Sequence, residues 1–165
     1  MKRLIALSLM VLAGCGSERG GGRDYITDLT DTIRHADRIV VTEHSSPLDF
    51  MTPESTEFPQ KDEIVYGTRE LTSSQKAHFL RVIEKLDPTT KDAFAACVPV
   101  VHHSIHFFAH EKLLSTMDVC FECGDVAWQG SKATPPWSLQ SGLAVVVKDI
   151  GFQPERDWAA LARAQ

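Results

Sequence analysis

Cys97, His102, His103, Cys120 and Cys123 fall within twenty-seven residues of one another. Thiol and imidazole at that density support three chemistries. In the first, Cys97 bonds to Cys120 or Cys123 and the remaining thiol is buried and inert. A bridge closing a loop of about 25 residues contributes roughly 2–4 kcal/mol. In the second, the three sulfurs and one histidine hold zinc as a tetrahedral Cys3His site. Cys120 and Cys123 supply a C-x-x-C half-site and Cys97 with His103 a C-x5-H half-site. Such a site, closed to substrate, would be structural. In the third, Cys120-Phe121-Glu122-Cys123 is a redox pair. That chemistry favours a first cysteine at a helix N-terminus, and Gly124-Asp125-Val126-Ala127-Trp128 is a poor helix start.

Two strands must position these groups. Residues 98–108 alternate Val101, Ile105 and Phe107 with His102, Ser104 and His106, and 115–121 alternate Met117, Val119 and Phe121 with Thr116, Asp118 and Cys120. Period two on both sides of a turn near 109–114 predicts a hairpin with one apolar and one polar face. Matching the apolar faces sets His102 across from Cys120, with Cys97, Cys123 and His103 on the other parity. A one-residue slip would bring His103 opposite Cys120. The rival reading makes 102–110 a helix with His102, His106 and His110 in one stripe. Four of the seven histidines lie between 102 and 110, so a transition-metal surface site is weighed against a solvated polar face.

Further strands are expected at 36–42 and, more weakly, at 64–69, with a Pro-, Ser- and acid-rich loop over 43–62 between them. Thr72 and Gln75 form a capping box ahead of Phe79, Leu80, Ile83 and Leu86 at helical spacing, and Pro88 ends the run, which predicts a helix over 72–86. Residues 138–150 fit either a strand or a helix closed by Gly151, and the helix stripe is the better match. A short helix is expected over 154–163 with Pro154 at its first position. Together these give an α+β domain: a mostly antiparallel sheet of about four strands, with two or three helices packed on it.

The whole chain carries a formal charge of −5. Without Lys2 and Arg3 it has 15 basic against 22 acidic residues, and it has no basic run, so nucleic acid is not an expected partner. No G-x-S-x-G, H-E-x-x-H or dinucleotide glycine pattern occurs, which leaves no hydrolytic or nucleotide-dependent class supported.

The first residues explain the cysteine count. Met1-Lys2-Arg3 precede an apolar run of nine residues, Leu4 to Leu12. That is a signal-peptide pattern, too short to be a spanning helix of roughly 17–25 residues. Leu12-Ala13-Gly14-Cys15 resembles the lipobox of bacterial lipoproteins. That resemblance implies diacylglyceryl and acyl groups on Cys15, removal of residues 1–14, and a membrane partner reached through the lipid. With Gly16 rather than Asp after the cysteine, it implies the periplasmic face of the outer membrane rather than the inner membrane. Residues 15–23, with three consecutive glycines, read as a flexible tether, and 24–165 as one globular domain. With Cys15 lipidated, three cysteines remain, an odd number in a compartment where disulfides persist.

The pattern Cys97-x-Pro99 through His103, then Cys120-Phe121-Glu122-Cys123, then a helix over 139–151, resembles an uncharacterised family of small secreted bacterial proteins and lipoproteins. The resemblance covers about half of the chain after the leader. It implies a shared fold unit and shared Cys/His positions, and no particular reaction. The expected role is therefore that of a membrane-anchored protein with a binding or envelope-structural function. The alternative is a metal- or thiol-dependent activity at Cys97, His103, Cys120 and Cys123, for which zinc is the cofactor implied.

Overall fold

A computed structural model describes residues 21–52, 54–57, 61–90 and 97–165. The leader, Cys15 and most of the tether lie outside them. Five antiparallel strands form one sheet in the order β2-β1-β3-β4-β5. They are β1 (Arg38–His44), β2 (Val65–Glu70), β3 (His103–Ala109), β4 (Lys112–Cys120) and β5 (Asp125–Trp128). Among the described residues four α-helices accompany them: α1 (Gly22–His35), α2 (Ser73–Glu84), α3 (Leu139–Asp149) and α4 (Trp158–Arg163). The α+β architecture is thus the expected one, with one strand more than anticipated.

Helix α2 begins as its sequence dictates. Thr72 Oγ1 accepts the Gln75 N–H, and Gln75 Oε1 accepts the Thr72 N–H at 2.9 Å. These two bonds satisfy main-chain donors that the first helical turn leaves free. Phe79 and Ile83 face inward, fully buried, and the Phe79 ring stacks on Phe107 of β3 at 6.4 Å. Helix α3 buries Leu143, Val146 and Val147 on one side. Its Gly142 leaves room for α2 and the residues just after it, because a Cβ there would meet Val82 Cγ1 at 3.4 Å and Leu86 Cδ2 at 2.8 Å. The 138–150 segment is therefore the helix that its apolar stripe indicated.

Helix α1 has no counterpart in the sequence reading, and it starts at Gly22, inside the stretch read as tether. Its apolar stripe is Tyr25, Leu29 and Ile33, but three threonines lower its intrinsic propensity. The structure accommodates them by turning each hydroxyl back onto its own helix: Thr27 to Arg23 O, Thr30 to Thr27 O and Thr32 to Asp28 O. Lys76 of α2 then caps the end of α1 by donating to the Arg34 and Ala36 carbonyls.

Residues 103–109 are strand rather than helix, with His102 before them and His110 in the turn that follows. The β3–β4 register pairs His103 with Val119 and Ile105 with Met117, which is the register obtained by matching apolar faces. The connection is a two-residue turn at His110 and Glu111, with φ of 50° and 64°, as tight antiparallel hairpins require. Asp37 accepts the His110 N–H at 2.6 Å and supports it. The inward face of the sheet carries Ile39, Val41, Ile105, Phe107, Met117 and Val119, all buried against the helices. The C-terminal helix differs from expectation. It starts at Trp158, with Asp157 Oδ1 accepting the Ala160 N–H at 2.8 Å, while Pro154 stays in the preceding loop. The inward face of β2 explains that loop: Gly67 leaves room there for Phe152, whose ring a Cβ would meet at 2.9 Å.

Candidate functional site

The cysteines sit where β4 turns into β5. Cys97 and Cys123 form a disulfide across 26 positions, with their Cα atoms 6.1 Å apart. Cys120 is a free thiol, 1% exposed. Its sulfur accepts the Val100 N–H at 3.3 Å and the Cys123 N–H at 3.4 Å. Of the two pairings the sequence allowed, the structure has Cys97–Cys123. A zinc site would need the same three sulfurs as thiolates, whereas two of them are bonded to each other here. Among the described residues, no group of three or more His, Cys, Asp or Glu side chains is arranged to hold a metal ion.

The histidines expected near these sulfurs have other partners. His102, expected on the polar face across from Cys120, precedes β3, and its ring is buried. Its Nε2 donates to Asp49 Oδ1 at 3.0 Å, and its ring stacks on Trp158 at 4.3 Å with only 9° between planes. Asp49 is held in turn by a 3-10 turn, Pro47–Phe50, where its Oδ2 accepts the Ser46 N–H at 2.7 Å. Ser46-Pro47-Leu48-Asp49 is a capping-box signature inside the segment read as plain loop. It was the signal that could have located Asp49.

His103 is fully buried among Phe121, Phe152 and Trp158. Its Nε2 lies 3.6 Å from Glu43 Oε1, and neither ring nitrogen makes a well-formed hydrogen bond. Glu43, itself buried, is paired with Arg156 Nη1 at 2.6 Å. Burial is the main force that pulls the His103 pKa down to about 3, helped by His102, His44 and Arg156, while the Gln153 backbone opposes. The imidazole is therefore neutral at physiological pH. The Tyr66 hydroxyl, buried and without a hydrogen bond, is pushed up by burial and by the charges of Asp49 and Glu43, with Arg156 opposing. Glu43 continues the inward parity of Ile39 and Val41, so a longer β1 would have flagged it. Arg156 gave no local signal.

The outward face of the sheet carries a second polar group. His44 Nε2 lies 3.0 Å from Ser104 Oγ, and Ser104 donates to Asp118 Oδ1 at 2.7 Å. On the other side of the ring, His44 Nδ1 lies 3.0 Å from the Ser45 carbonyl and 3.4 Å from Glu63 Oε2. A serine nucleophile hands its proton to histidine. Here the single Ser104 proton is committed to Asp118, and Ser104 is central in a β3 paired on both sides. Nearby, His106 Nδ1 meets Thr116 Oγ1 at 3.1 Å. Burial and His44 lower its pKa against the opposing pull of Asp118 and Glu63.

The arrangement therefore divides in three: a disulfide with a thiol at the β4–β5 turn, a buried ion pair and histidines under the C-terminal segment, and a hydrogen-bonded row across the outer face. Compared with protein-family models, with curated proteins and with solved structures, the chain has no match.

Proposed function

We propose that this chain is a lipoprotein of the bacterial envelope, anchored by acyl groups on Cys15, whose folded domain has a binding or envelope-structural role rather than a catalytic one. The observation that carries the reading is the Cys97–Cys123 bond. Disulfides persist in oxidising compartments and are rare in reducing ones, so a bonded pair agrees with export by the N-terminal leader. No helix among the described residues is long and apolar enough to cross a membrane, so attachment would rest on the lipid. One acyl chain binds only marginally, at about 0.8 kcal/mol per buried methylene, whereas two or three make attachment stable. Commitment of the Ser104 proton to Asp118 supports the non-catalytic part of the reading. Gly16 in place of Asp favours the periplasmic face of the outer membrane.

Metabolic labelling with radioactive palmitate tests the anchor. The wild-type chain is expected to take up label and to partition into membranes. Cys15→Ser is expected to lose the label and to leave the leader uncleaved at this position. An unlabelled wild type, or a Cys15→Ser chain still labelled, would overturn the proposal.

A further inference from the structure

The Cys120 thiol sits against both arms of the Cys97–Cys123 bridge. Its two N–H donors are Val100, three residues beyond Cys97, and Cys123 itself. The turn that brings Cys123 back onto Cys120 is tight: Cys120 pairs with Asp125 across it, and Gly124 takes a φ of 67°. The other arm lies outside the sheet. Cys97 is exposed, Val98 is 72% exposed, and residues 97–102 belong to no helix or strand. Detaching Cys97 would therefore break no strand pairing, whereas Cys120 is locked in place at the end of β4.

We propose that the bridge is exchangeable, with Cys120 as the internal nucleophile and Cys97 as the thiol it releases. This goes beyond the anchored, non-catalytic role and does not depend on it. The Cys120 thiolate attacks Cys123 Sγ. The Cys120–Cys123 bond forms as the Cys97–Cys123 bond breaks, and the electron pair leaves on the Cys97 sulfur. The proton lost by Cys120 is replaced on Cys97 from water, so no oxidant or reductant is consumed. Exchange converts a shielded thiol into an exposed one. The released Cys97 thiolate then attacks a small disulfide, forming a mixed disulfide and expelling one thiol. Access limits such chemistry as much as nucleophilicity does, and access is what the rearrangement changes.

The test uses the Cys15→Ser chain with Cys97 and Cys123 bonded, in which Cys120 is the remaining thiol, incubated with oxidised glutathione. Acid quenching and non-reducing peptide mapping then locate every sulfur. Glutathione on Cys97 together with a Cys120–Cys123 bridge is the expected result, and Cys120→Ser, which removes the attacking thiolate, is expected to abolish the adduct. Glutathione on Cys120 or Cys123, an adduct undiminished in Cys120→Ser, or no adduct would overturn the proposal. A second variant reads the bridge alone: Cys97→Ser is expected to carry a Cys120–Cys123 disulfide, and two free thiols in the folded variant would overturn it.

Discussion

Acidification from pH 7 to about 4 is expected to remove roughly 3 kcal/mol of folding stability through His103 alone. In the folded chain burial pulls the His103 pKa down to about 3, whereas in the unfolded chain an ordinary histidine titrates near 6.5. Above that value neither state binds the proton, and the group contributes no pH dependence. As pH falls below about 6.5 the unfolded chain takes up a proton that the folded chain refuses, so stability declines by up to about 1.4 kcal/mol per pH unit. The decline from this group ends near pH 3, where the folded imidazole also protonates. Glu43 does not rescue the charged form although it lies 3.6 Å from Nε2, because Arg156 at 2.6 Å already neutralises it. Small domains hold about 5–15 kcal/mol in total, so the loss is a large fraction. Urea titrations at pH 7 and pH 4 check it. His103→Leu, placed among Phe121, Phe152 and Trp158, is expected to flatten the dependence by close to one proton. A variant with the wild-type slope would show that other groups carry it.

The histidines also mark where the sequence stopped being legible. Parity along β3 and β4 gave the correct register, because a one-residue slip would move every apolar side chain to the wrong face. The capping box gave the start of α2, and cysteine spacing gave a bridge with two candidate pairings. All three signals are local. What buries His102 and His103 is not. Asp49 lies 53 positions from His102, and Arg156 lies 113 positions from Glu43. No period within one element encodes a contact at such a distance. Strand alternation therefore placed His102 on a polar face, while tertiary packing stacked it under Trp158. Propensity misled at α1, where threonines hid a stripe as regular as that of α2. The short β5, four residues long, has Trp128 as its one buried anchor and too little length for alternation to stand out.

Arg156→Met is expected to cost about 3 kcal/mol, the lower part of the range for stripping one partner from a buried pair. The lower end applies because the Arg156 side chain is itself 36% exposed, whereas that of Glu43 is only 3% exposed. Methionine keeps the aliphatic stem and removes the guanidinium, whose carbon lies 5.7 Å from the Trp158 ring centroid, so the loss reports the cationic group. Adding Glu43→Gln removes the stranded carboxylate, and the double variant is expected to recover at least half of the loss. A double variant no more stable than Arg156→Met would refute the pairing argument. Arg156 and acid both act on His103 Nε2. Without Arg156, the bare Glu43 carboxylate faces His103 Nε2 and favours the imidazolium there. The folded-state pKa of His103 then rises toward the unfolded value, and the stability lost on acidification shrinks. Arg156→Met is thus expected to be more damaging at pH 7 than at pH 5, measured against wild type at each pH. A deficit of equal size at both would mean that Arg156 secures the C-terminal segment through contact alone. The expected convergence would mean that the segment's cationic side chain sets the charge state beneath it.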